Sequence, residues 1–128
     1  MFRLLSPDLV EIIHEDVLNP GDLKGRSRDA SLDGALSRVD NRLAYGLVED
    51  VFVLAALYAQ VVAQGRCFSD GNKRTAFRSM YAVLALNGVT IAFDSLDVAD
   101  RIILLAQGKQ DPEDLGDWLR DLAAKQNN

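Results

Sequence analysis

Apolar positions along this chain recur at helical rather than strand spacing. Ser6-Pro7 is an oxygen cap followed by a proline whose missing N–H costs nothing at a first helical position. Leu9, Val10, Ile13 and Val17 then share one face, and Asn19-Pro20-Gly21 stops the helix. The polar, glycine-bearing run from Gly21 to Arg28 reads as a loop. A second amphipathic segment spans about Ser31 to Ala44, with Leu32, Leu36, Val39 and Leu43 in register, Gly34 as a weak point and Tyr45-Gly46 as its stop. Residues 49–64 are apolar all round, which predicts the central, buried helix, ended by Gly65. After a loop over 66–71 the pattern predicts a helix from Asn72 to Leu86, closed by Asn87-Gly88. Val89 to Phe93 is short and β-branched and reads as a small strand. Ser95 caps a helix running to Gln107, and Gly108 ends it. Asp111-Pro112 starts the last helix, with Leu115, Trp118, Leu119 and Leu122 on one face. The expected fold class is all-α: a compact single domain over 1–128, seven or fewer helices around a buried central one, and at most one small β-hairpin.

Composition narrows the function classes. With 48% apolar and 26% charged residues the chain buries a core, so disorder is excluded. Cys67 is the only cysteine, which excludes a disulfide framework. The longest apolar stretch, Val51 to Ala63, is broken by Gln60 and is too short to span a bilayer. The first residues lack the pattern of a secretory signal, so the expected address is the cytoplasm. A net charge of −5 argues against a surface that grips nucleic acid or an anionic membrane. A helix-turn-helix reading of Asn72 to Ser79 fails for the same reason and for want of a second basic face. Yet Arg66, Lys73, Arg74 and Arg78 crowd into thirteen residues of an acidic chain. A local cationic spot of this kind suits a small anionic ligand.

Those cations belong to Arg66-Cys67-Phe68-Ser69-Asp70-Gly71-Asn72-Lys73-Arg74-Thr75, between the buried helix and the next. Gly71 permits a tight turn and a close backbone approach to a ligand. The loop feeds a helix N-terminus, whose free N–H groups and partial positive charge attract phosphate. Lys73 and Arg74 stand in the first turn against that dipole, a placement a bound anion would offset. Asp70 is a hard oxygen ligand suited to Mg²⁺ carried by a nucleotide. Phe68 is expected to face inward and anchor the loop. The alternative reading is a capped helix with solvated charges.

This segment resembles the Fic/Doc motif H-x-F-x-(D/E)-(G/A)-N-(K/G)-R at Phe68, Asp70, Gly71, Asn72 and Arg74. Lys73 and Thr75 are typical of the Doc (death-on-curing) branch; AMP-transferring Fic enzymes carry glycine where Lys73 stands. The likeness extends over nearly the whole chain, through Leu9 to Asp16, the Gly21 to Gly25 loop, Leu32 to Arg38, Ala44-Tyr45, Asn87-Gly88, Phe93 to Ser95 and Trp118-Leu119. It implies a helical Fido fold with ATP at this loop. It also implies a toxin that moves a phosphate from ATP to a threonine of elongation factor Tu and arrests translation. An antitoxin of Phd type, laying its C-terminal segment over the toxin, would neutralise it. Carried onto this chain, Asp70 would position Mg²⁺. Phe68, Gly71 and Asn72 would hold the nucleotide phosphates, and Lys73 and Arg74 would neutralise charge developing during transfer.

The departure is at position 66. The family's histidine, a general base, is here Arg66, and a guanidinium, far more basic than imidazole and already protonated, offers no lone pair to take a proton at neutral pH. The chain is therefore expected to be inactive while still binding nucleotide through arginine's fork of donors. It is either a naturally degenerate member or an inactivating change selected against a toxic parent; the intact remainder of the motif favours the second. Other readings are an AMP-transferring Fic relative and a non-catalytic module that binds nucleotide or antitoxin. His14, the only histidine, is expected to be an ordinary surface or packing residue on or near the polar face of the first helix. It could replace the base only if folding set it beside Asp70, which the pattern gives no reason to expect. Cys67 reads as a small filler, and Gly21 to Arg28 as either a flap over the target or a plain connector.

Overall fold

The computed structural model describes residues 1–127. Six helices follow in order: α1 (Pro7–Val17), α2 (Leu32–Ala44), α3 (Val51–Gly65), α4 (Asn72–Leu86), α5 (Ser95–Ala106) and α6 (Pro112–Gln126). The helix apolar all round is central, as its pattern dictates: α3 packs against α2, α4, α5 and α6, while α1 lies on α4 and touches α2. Leu54, Leu57, Tyr58 and Val62 of α3 are buried among Val39, Met80, Leu84, Leu105 and Leu119 from its neighbours.

Local chemistry sets the helix starts. The side chains of Ser6, Ser31, Asp50, Asp94 and Asp111 each accept from a backbone N–H in the first turn of the helix that follows. At α5 the cap is Asp94 and not Ser95: Asp94 Oδ1 accepts from Leu96 and Asp97 N–H, leaving Ser95 as the first helical residue. Only α4 starts without a side-chain cap, on Gly71 at φ 77°, a left-handed turn that glycine adopts without strain.

The small strand expected over Val89 to Phe93 is absent, and no sheet occurs among the described residues. Its physical requirement, a neighbouring strand, is met by a side chain instead. The Gln126 amide accepts from Ala92 N–H and donates to Ala92 C=O, at 2.9 and 2.8 Å, completing the pairing an adjacent strand would have supplied. Ile91 still points into the core. One isolated antiparallel bridge does form, between Arg26 and Phe68, and it places the α1–α2 loop on the motif.

Candidate functional site

The motif loop starts where α3 ends. Arg66 takes the left-handed conformation, φ 47°, that turns the chain out of α3. A side chain in that conformation costs about 1–2 kcal/mol, and histidine is among the residues enriched there. Cys67 then tucks into the core, its Sγ donating to Ser31 C=O at 3.6 Å, and burial pushes its thiol pKa up against the opposing pull of Arg26 and Arg38. A buried thiol of this kind packs rather than attacks.

Two side chains fix the shape of the loop. Asn72 reaches back four residues, accepting from Phe68 N–H at 3.1 Å and donating to Phe68 C=O at 2.9 Å. Its amide is therefore committed to the loop, and what it offers an anion is its backbone N–H at the head of α4. Phe68 is buried and turned away from the cationic residues with which the motif groups it. Its ring stacks on His14 at 3.9 Å between centroids and 8° between planes.

Of the two expectations for His14 the packing one holds, and its placement on or near the polar face of α1 is corrected. It is buried, and folding does set it beside Asp70, with Nε2 2.7 Å from the Asp70 carbonyl oxygen. A carbonyl only accepts, so Nε2–H donates. With its proton-bearing nitrogen held there and its ring covered by Phe68, His14 supports the loop and is no substitute base.

Arg66, Ser69, Asp70, Gly71, Lys73 and Arg74 converge on one cavity of about 460 Å³ at the head of α4. Among the described residues neither Arg66 nor Lys73 has an ion-pair partner. Arg74 lies over Gly71, its Nη2 only 3.2 Å from where a Cβ would stand. Three cations, an uncapped helix start and a glycine without a side chain form a cradle for an anion. Asp70 is the motif's one carboxylate here, and no group of three or more metal-ligating side chains occurs among the described residues. A divalent ion at this place therefore fits as one brought by its own polyanionic ligand.

The loop over Gly21 to Arg28 is docked on this site. Ser27 N–H donates to Cys67 C=O at 2.7 Å and Ser69 N–H to Gly25 C=O at 3.2 Å. Leu23 N–H donates to Asp70 Oδ2 at 2.7 Å, and Asp22 Oδ2 receives Arg74 Nη2 at 2.5 Å. The sequence matched this loop by its glycines and left these polar contacts unread. Beside the anion cavity, sharing Lys73 and Arg74 with it, lies a groove of about 500 Å³ between α1, α4 and α5, floored by Phe77, Phe93, Val98 and Ile102.

A family model described as the Fic/DOC family matches residues 4–84. The "Protein kinase doc" of Escherichia phage P1 is 35% identical over 121 residues, covering 94% of this chain and 95% of that protein.

Proposed function

This chain belongs to the Fic/Doc family, and from that premise we propose that it is a Doc-type toxin that holds ATP and Mg²⁺ at the head of α4, its transfer step disabled at Arg66. The observation that carries the reading is the convergence of Arg66, Asp70, Gly71, Lys73 and Arg74 on one cavity at an uncapped helix start. Bound ATP would supply the phosphoryl group, delivered to a threonine of elongation factor Tu. Asp70 would hold the accompanying Mg²⁺, a hard cation that favours carboxylate oxygen. Backbone N–H groups of Gly71 and Asn72 would bind phosphate oxygens, and Lys73 and Arg74 would balance their charge.

The missing element is a base. Arg66 accepts no proton at neutral pH, and His14 is buried and already donating to Asp70. Losing a positioned base lowers a transfer rate by about 10²–10⁴. An antitoxin of Phd type would lay an amphipathic segment in the groove floored by Phe77, Phe93, Val98 and Ile102, with its acidic residues toward Lys73, Arg74 and Arg78.

Label transfer from γ- and α-labelled ATP to elongation factor Tu tests this, comparing the chain with its Arg66→His variant. The expected result is γ-label transfer by the histidine variant, at least 10²-fold above the parent. Transfer of α label would reassign the chain to AMP transfer, which Lys73 opposes. Nucleotide binding without transfer by either form would leave a binding module.

A further inference from the structure

Besides the motif's own Asp70, a second carboxylate, that of Asp22 from the docked loop, lines the cavity. Its Oδ2 lies 2.5 Å from Arg74 Nη2, and its side chain, 24% exposed, is better covered than that of its partner at 43%. The Arg74 guanidinium is the group set over Gly71 and the open start of α4. We propose that Asp22 is an affinity-setting residue of this site: its carboxylate occupies on Arg74 the place of an incoming phosphate oxygen, and a phosphate ligand engages Arg74 by displacing it. This rests on the reading that the cavity takes nucleotide phosphates.

The local architecture suits a displaceable contact. Asp22 Oδ2 also accepts from Asn19 N–H at 2.9 Å, so the carboxylate is held in a turn at the tip of its loop and not on a mobile tail. The loop is anchored separately, by the backbone bonds of Gly25 and Ser27 to Ser69 and Cys67. Releasing Asp22 from Arg74 therefore breaks one ion pair without undocking the loop. The adjacent Leu23 N–H holds Asp70 at 2.7 Å, so neighbouring residues of one loop engage both the carboxylate and the arginine of the motif. Arg66 and Lys73, without ion-pair partners among the described residues, receive an anion first. Arg74 joins only after exchanging one carboxylate for the ligand.

The test is calorimetric titration of ATP with Mg²⁺ into the full chain, Asp22→Asn, Arg74→Gln and the double variant, with melting curves on all four. Asparagine keeps an acceptor for Asn19 N–H and removes the charge. The expected result is binding about tenfold tighter for Asp22→Asn, with the gain falling below about twofold in the Arg74→Gln background. Unchanged or weaker binding by Asp22→Asn overturns the proposal while leaving the nucleotide site standing. A tenfold gain that persists without Arg74 also overturns it, since the effect would then be long-range charge. If all four forms fold and none binds ATP, the nucleotide reading itself fails and this inference falls with it.

Discussion

One imidazole joins core packing to the geometry of the site. His14 is 1% exposed, stacks flat on Phe68, and donates from Nε2 to the carbonyl of Asp70, the residue whose side chain faces the anion cavity. His14→Phe would keep the stack and remove the donor, leaving the Asp70 carbonyl unpaired in a covered place. The expected loss is about 1–3 kcal/mol in urea unfolding, with weaker ATP binding as the loop relaxes. A variant matching the parent in both would show that the bond shapes nothing. The signal for this residue was present in the sequence as the i, i+4 row Val10, His14, Leu18, which a wider reading of the apolar face would have taken in. What lay beyond the sequence was the partner, because the tie spans 56 positions and exists only once α1 lies on α4.

Among the elements, the approach of α6 to α3 is the tightest constraint. A Cβ on Gly116 would stand 2.9 Å from Val53 Cγ2 and 3.2 Å from the Val53 backbone. Gly116→Ala should therefore push the two helices apart and lower stability by about 1–3 kcal/mol, read as a drop in denaturant midpoint at unchanged slope. Helix starts were readable where a capping oxygen stands directly before a proline, as at Ser6 and Asp111; the caps at Ser31 and Asp50 went unread, and Asp94 was taken for its neighbour Ser95. Gly116 was not readable either, since a glycine inside a helical pattern reads as a weak point until the neighbour it admits is known. The segment after α4 was misread for a related reason. Its β-branched composition is real, but the pairing partner is the side chain of Gln126, 34 positions away.

For the molecule as a whole, buried acids make stability fall toward alkaline pH. The Tyr58 hydroxyl accepts from Leu5 N–H at 3.0 Å and donates to Leu5 C=O, tying the first residues to α3. Burial raises its pKa above the ordinary 10.0, and burial likewise raises the Cys67 thiol above 9.0. Both groups are neutral when protonated, so the folded state binds more protons than the unfolded one in this range. Their contribution is complete below the unfolded values and is lost as pH rises from about 9 through the folded values. Melting temperatures should thus be flat in this respect to about pH 8.5 and then decline, and Tyr58→Phe should remove the tyrosine share of that slope. The global arrangement was legible where one element was extreme, since α3, apolar on every side, had to be central. The residues that line the cavity at the head of α4 were legible as a cluster of residue types, and their contacts with the α1–α2 loop were not, because Asp22 and Arg74 are 52 positions apart.

The two side-chain amides that clasp the α4–α5 connection also tie the residues before α1 and the last turn of α6 to one short segment. Asn87 exchanges bonds with Arg3 at the front, and Gln126 exchanges bonds with Ala92 at the back. Residues 87 and 92 are separated by at most about 18 Å of extended chain. A short polar linker could therefore splice the end of α6 to the residues before α1. New termini opened at the exposed Tyr45–Leu47 turn would then yield a circularly permuted chain in which the motif, its docked loop and all six helices keep their neighbours.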